Sequence, residues 1–283
     1  MHENLGTLLM FWDYDTQWGA DRSRSNGGPK TWGHLDFSNT ERLLDLLAAH
    51  SLTACFAVVG AAALPGVRPY HDPKQIKRIF DSGHEIASHS FKHEWLPGLE
   101  GSALIETVRL SKDALEQCIG APVTCFVPPY NQPFDYARRG SFSLSERYQA
   151  GRKHTTVSVL CRTLYETGYR FCRVAYRGWP LRAAEAIIGR RLDRPLPLEK
   201  IEGIWCARLN APCGFGRDTQ SMLRACSDSS NIVTVYGHPH SITLQGAQNV
   251  RLLEPFLEQV NHLRTSNRIQ VSRPEAIVRQ VRQ

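Results

Sequence analysis

The chain has 283 residues, 42% of them hydrophobic and 22% charged. That is an ordinary globular composition, long enough for one sizeable domain or two small ones. No apolar stretch approaches the roughly 18 residues of a membrane span. The net charge of +7 is scattered, with Arg-Arg pairs at 138–139 and 190–191 and no run of five or more basic residues, a weak sign of a nucleic-acid stripe that an anionic small molecule explains equally well.

Before the first apolar run the chain carries Glu3 and no basic region, so that run is expected to be a strand rather than a secretory signal, and the protein cytoplasmic. "LGTLLMFWDYDTQWG" drives this strand into two aspartates, Asp13 and Asp15. Strand residues i and i+2 share a face, and two carboxylates so close repel unless a cation or proton lies between them; a solvated turn pair is the other reading. A polar loop is expected over 16–38. The segment "NTERLLDLLAAH", with Asn39 as N-cap, reads as a helix, and "SLTACFAVVG" as a second strand closed by Gly60. "DPKQIKRIFDSG" is a helix capped by Asp72, with Pro73 at its first position and Gly83 as terminator.

"HEIASHS" is a third strand, "SALIETVRLSKDALEQCIG" a helix ending at Gly120, and "VTCFVPPY" a fourth strand stopped by prolines. "TTVSVLCRTLYETG" and "YRFCRV" give a further helix and strand. "GIWCARL" and "NIVTVYG" are late strands, and "NVRLLEPFLEQVNHLRT" is a helix before a C-terminal strand "RIQVS". This alternation implies a parallel sheet with helical crossovers. About seven strands favour a closed or nearly closed β/α barrel in a single domain. Long irregular segments at 16–38, 131–153 and 176–203 follow predicted strand ends, the face on which such barrels carry function. None of the eight cysteines forms a C-x-x-C pair. Most sit in apolar patterns as small hydrophobes, which fits a reducing compartment.

His89 and His93 stand four apart just after the third strand. Alone, the spacing also describes two surface histidines. Beside Asp13 and Asp15 on one barrel rim, two histidines and one carboxylate make a three-ligand zinc site with an open position. The second carboxylate is then free to act as a base. His238 and His240 follow a late strand onto the same rim, where an imidazole can protonate a leaving amine or serve as a structural hydrogen-bonding group.

The chain resembles the polysaccharide deacetylase family, also called the NodB homology domain or carbohydrate esterase family four. "FWDYDT" resembles its first motif, His89-Ser90-Phe91-Lys92-His93 its second, Val127-Pro128-Pro129-Tyr130 part of its third, and the strand ending at His238 its fifth. "VAYRGWP" around Trp179 is the nearest candidate for the fourth. The resemblance runs from Leu5 to Ser272. It implies a distorted (β/α)7 barrel and metal-dependent removal of an N-acetyl group from an amino sugar. Asp15, His89 and His93 would bind a divalent metal, zinc foremost, with cobalt, nickel or manganese as alternatives. Asp13 would be the general base, the backbone N–H of Tyr130 an oxyanion donor and His238 the general acid, with His240 as fallback. The family's third motif carries an arginine that pairs with the catalytic aspartate, and Val127 stands in its place here. Arg173 or Arg177 would supply that cation, Arg138 or Arg139 next, unless a backbone N–H or neighbours such as Tyr14 and Trp18 orient Asp13 instead.

Trp18 and Trp32 could stack on a sugar ring, and Arg22, Arg24 and Lys30 could meet phosphate; a solvated loop is the alternative. Arg173, Arg177, Trp179 and His240 complete the residues expected to face substrate. The expected activity is a deacetylase acting on a cytoplasmic nucleotide- or lipid-linked glycan precursor, or another small, anionic substrate. No nucleic-acid partner and no transmembrane segment are expected, and the oligomeric state stays open. Hydrolysis of a non-sugar C–N bond and a carbohydrate-binding pseudoenzyme are the alternatives.

Overall fold

Strand β1 (Gly6–Tyr14) is buried at all nine positions, as expected of a central strand covered on both faces. The computed structural model describes residues 5–24, 26–133, 155–175, 183–184, 187–188 and 194–281. Within them, β1 is joined by β2 (Cys55–Val58), β3 (Glu85–Ser88), β4 (Cys125–Phe126), β5 (Phe171–Ala175), β6 (Glu199–Ile201), β7 (Ile204–Leu209), β8 (Ile232–Gly237) and β9 (Ile269–Ser272). The sheet runs β6-β7-β5-β4-β3-β2-β1-β8, with β9 beside β1. Every ladder is parallel except β6–β7. Single bridges Leu196↔Ile232 and Cys213↔Tyr236 bring the segments around β7 against β8, so the sheet curls toward closure. The expected distorted barrel and single domain are borne out.

Around the sheet lie α1 (Thr16–Arg22), α2 (Trp32–Ala49), α3 (Pro73–Asp81), α4 (Gly101–Ile119), α5 (Val157–Glu166), α6 (Arg217–Ser227), α7 (Val250–Thr265) and α8 (Pro274–Gln280). Among the described residues no helix is long and apolar enough to cross a membrane.

Strand periodicity decides what enters the barrel. Leu9 and Phe11 of β1, Cys55 and Ala57 of β2, Ala87 of β3, Cys125 and Val127 at β4, and Phe171 of β5 form one buried cluster, closed below by Ile277 and Val278 of α8. The alternate residues Leu8, Met10 and Trp12 pack outward in the larger core. Stepping the inward set two residues further up each strand reaches Asp13, His89, Arg173 and His238.

Several elements differ from expectation. The segment 16–38 holds α1 and most of the first two turns of α2 rather than one loop. Gly19 explains part of α1: a Cβ there would lie 2.5 Å from that of Asp15, so only glycine allows the helix so close to the strand end. Asn39 is inside α2, not its cap, and its amide donates to the carbonyls of Pro239 and Ile242. Asp72 does cap α3, accepting from the Gln75 N–H at 2.9 Å. Helix α6 was not expected because its sequence is polar; its buried face is Thr219, Met222, Leu223 and Cys226, at helical spacing. The residues 134–153 and most of 176–193 lie outside the described residues, and with them Arg138, Arg139, Arg177 and Trp179.

Candidate active site

The C-terminal ends of β1, β3, β5 and β8 deliver Asp13, Asp15, His89, His93, Arg173 and His238 to one rim. Asp15 Oδ1 lies 3.3 Å from His89 Nε2 and 3.5 Å from His93 Nε2, with all three side chains buried. Two ligands each about 2.0–2.1 Å from a tetrahedral zinc lie about 3.3–3.4 Å apart, so these edges fit one ion. The chemistry of the donors fits as well. Asp15 Oδ1 has no hydrogen-bond partner, an expensive state for a buried carboxylate oxygen. His89 Nδ1 meets the Val127 carbonyl at 2.7 Å, which leaves Nε2 as the ligating nitrogen. The structure thus brings together the three side chains expected as ligands. The contact between the Val127 carbonyl and His89 has no signal in the sequence.

Asp13 is held apart from this triad. Arg173 grips it with two hydrogen bonds, 2.8 Å to Oδ1 and 2.6 Å to Oδ2. The same guanidinium donates to Asn131 Oδ1 at 3.0 Å and lies over the rings of Phe11 and Tyr236. Burial pushes the Asp13 carboxyl up, but Arg173 and the nearby His89 and His238 more than offset it, and it sits below the usual carboxylate range. The cation expected beside Asp13 is thus Arg173 of β5, which grips the carboxylate and does not wall the cavity.

His238 is half-buried, its Nε2 3.9 Å from Asp13 Oδ2 and from Asp15 Oδ2. Burial lowers its pKa despite both carboxylates. His240 is tied elsewhere. Asp36, fully buried, accepts from the His240 N–H at 2.7 Å, meets its Nδ1 at 3.3 Å, and accepts from the Thr16 N–H at 2.6 Å. Burial opposes but Asp36 raises the His240 pKa, and the ring stacks on Trp32 at 4.2 Å. Five non-glycine residues beside the site, Thr16, Ser90, His93, Tyr130 and Asn131, hold positive φ between 53° and 61°, the kind of stored backbone strain that clusters at functional sites.

A cavity of about 430 Å³ opens over these groups, walled by Arg24, Trp32, Tyr130, Asn131, Tyr236 and Gln248 among others. Tyr130 packs its ring on His93 at 4.5 Å and donates its hydroxyl to the Arg22 carbonyl. Other expected substrate contacts lie elsewhere. Trp18 packs on Tyr70 and His71. Arg22 contributes that carbonyl and does not wall the cavity, and Lys30 pairs with Asp21. Trp32 does face the cavity, though His240 already covers one of its faces. Asp36, Asn131, Cys213 and Gln248 were not foreseen. Their partners lie at irregular separations in sequence, from 10 residues for Gln248 and His238 to 204 for Asp36 and His240.

A family model for polysaccharide deacetylase matches residues 30–144. Over that stretch, less than half of its length, the chain is similar to the polysaccharide deacetylases. The match takes in His89, His93 and Tyr130 and stops short of Asp13, Asp15 and His238. Chitin deacetylase 2 of Cryptococcus neoformans var. grubii is 28% identical over 107 residues, covering 36% of this chain and 22% of that protein; the match thus spans about a fifth of that relative's length. A Mycobacterium smegmatis structure assigned to the polysaccharide deacetylases aligns over 100% of this chain and 92% of its own, with a TM-score of 0.65 and 16% identity. Puue allantoinase aligns over 96% and 89%, with a TM-score of 0.62 and 15% identity. At such identities these structures speak to the fold alone.

Proposed function

We propose that the chain is a metal-dependent amide hydrolase that removes an N-acetyl group from an amino sugar, carried on a nucleotide- or lipid-linked glycan precursor in the cytoplasm. The observation that carries this reading is the division of labour between two neighbouring carboxylates: Asp15 faces two imidazoles, and Asp13 is locked to Arg173. Asp15, His89 and His93 hold the ion, zinc foremost. A divalent ion there would supply Lewis-acid polarisation of the amide carbonyl and of water. Asp13 takes a proton from the attacking water, and Arg173 keeps it ionised and aimed. The Tyr130 backbone N–H donates to the developing oxyanion. His238 Nε2 gives a proton to the departing amine.

Arg24 at the cavity wall and the net charge of +7 support an anionic substrate, and free cysteines throughout suit a reducing compartment. The cavity volume, at the small end for ligand pockets, favours a single unit over a polymer and also suits the second reading, a small non-sugar amide. The complete set of acid, base and ligand side chains speaks against a pseudoenzyme. Acetate release by zinc-loaded protein, compared across a nucleotide-linked N-acetylamino sugar, the free sugar and small cyclic amides, tests the reading. Stoichiometric metal with no acetate from either sugar would overturn it.

A further inference from the structure

The imidazole proposed as the acid has an unexpected neighbour. Cys213 Sγ lies 3.5 Å from His238 Nδ1, a normal length for a bond through the large sulfur atom. The contact is built rather than incidental. Cys213 forms a parallel bridge with Tyr236, two residues before His238, and the next N–H, that of Gly214, donates to the Tyr236 carbonyl at 3.0 Å. From the other side the His238 N–H donates to Gln248 Oε1 at 2.6 Å. Backbone and ring of His238 are thus fixed by different partners.

A thiol and an imidazole nitrogen can share one hydrogen in two ways. Either S–H donates to an unprotonated Nδ1, or Nδ1–H donates to sulfur. Imidazole nitrogen is a good acceptor and thiol sulfur a weak one, which favours the first. Burial pushes the Cys213 thiol up to about 12, with Asp13 adding to it, so the S–H is present across the working range. With Nδ1 occupied as acceptor, the neutral ring carries its hydrogen on Nε2, the nitrogen 3.9 Å from the Asp13 and Asp15 carboxylates and facing the cavity.

We propose that Cys213 is a positioning residue whose S–H fixes the tautomer of His238, so that this histidine presents an N–H, not a lone pair, to the substrate. His238 therefore enters the reaction as a donor, and the part of base is left to Asp13. The consequence for turnover rests on the function proposed above; the tautomer does not.

The test uses the zinc-loaded full chain with ¹⁵N-labelled histidine, at a pH of about 9, where an ordinary imidazole is neutral. Long-range ¹H–¹⁵N correlation, with His238→Gln for assignment, reads which nitrogen bears the hydrogen. Wild type is expected to show protonated Nε2 and unprotonated Nδ1. Cys213→Ala should give a mixture or the reverse tautomer, with kcat for acetate release down about ten- to a hundredfold and KM little changed. Cys213→Ser, which keeps a donor, should restore the Nε2–H form and most of the turnover. Protonated Nδ1 in wild type, or an unchanged tautomer in Cys213→Ala, overturns the proposal. If the alanine variant does not fold, wild type and Cys213→Ser decide. If no N-acetyl substrate is turned over, the function fails while the nitrogen shifts still judge the role of Cys213.

Discussion

Arg173→Met removes the guanidinium that clamps Asp13 while keeping an apolar chain of similar length between the rings of Phe11 and Tyr236. Both partners are almost fully buried, at 1% and 5% side-chain exposure, so solvent screens the pair little. Breaking a buried, hydrogen-bonded pair by deleting one member costs about 3–5 kcal/mol, because the other charge stays behind in a low dielectric. That is a large share of the roughly 5–15 kcal/mol of a typical fold. Equilibrium unfolding in urea reads it as a lower midpoint at unchanged slope. Arg173 touches none of Asp15, His89 or His93 through a hydrogen bond, so metal content should hold while turnover falls by about a hundredfold or more. The decisive arm is a double-mutant cycle. With Asp13→Asn already in place no buried anion is orphaned, and the same arginine change should cost only about 1 kcal/mol. Equal cost in both backgrounds would mean that Arg173 is a packing residue and Asp13 has no need of it.

The two aspartates should separate on metal analysis: His89→Ala and His93→Ala each lose stoichiometric divalent metal, whereas Asp13→Asn keeps it and loses about a hundredfold or more in turnover. Retained metal in both histidine variants refutes the triad. Arg24→Ala should raise KM for a phosphorylated N-acetyl sugar about tenfold, as for a lost charged contact, and leave a neutral analogue within twofold; equal shifts remove Arg24 from anion binding. At the bottom of the barrel, burial pushes Glu85 up to about 8 from 4.5. Between those values the unfolded chain binds fewer protons than the fold, so stability falls as pH rises. Glu85→Gln should remove about 1.4 kcal/mol per pH unit of that slope, measured as the difference from wild type in urea midpoints between pH 6.5 and 8.

The rim of the barrel was legible because strands have a period of two. Once β1, β3 and β8 are recognised, the residues that continue their inward faces past the core are Asp13, His89 and His238, and no tertiary information is needed to place them on one end. Arg173 and Arg177 were legible only as candidates, because their segment leaves the strand after the one that carries Val127; the pairing with Asp13 is what makes an arginine inside an apolar strand tolerable. The helices α1, α6 and α8 were harder, since short or polar helices owe their stability to packing rather than to propensity. Asp36 and Cys213 left no trace at all. Each acts through a partner brought close only by sheet curvature, and an aspartate on a helix or a cysteine in a loop looks the same in sequence whether or not an imidazole lies beside it. Trp18 shows the opposite error: an aromatic in the right segment, turned toward Tyr70 and His71 instead of substrate.

The exchange of an arginine between strands has a geometric cause that can be tested directly. The β4–β5 register pairs Cys125 with Phe171 and Phe126 with Cys172, so the next step sets Val127 beside Arg173. Neighbouring strands lie about 4.8 Å apart, a distance that a guanidinium on its flexible stem easily spans. A cation at either position can therefore reach Asp13 from inside the barrel. Val127 meanwhile keeps a separate task through its backbone, since its carbonyl meets His89 Nδ1, and that task is independent of its side chain. The swap Val127→Arg with Arg173→Val should accordingly leave His89 oriented and metal bound. It should also restore the Asp13 pair that Arg173→Val alone destroys. Val127 is fully buried, so Val127→Arg by itself should destabilise the fold, placing a second cation in the space Arg173 already fills. In the double variant that space is vacated. The expected result is at least about a tenfold recovery of turnover over Arg173→Val, one tenfold step being about 1.4 kcal/mol of regained transition-state stabilisation. A double variant no more active than Arg173→Val, yet folded and loaded with metal, would show that the position of the arginine matters and not merely its reach.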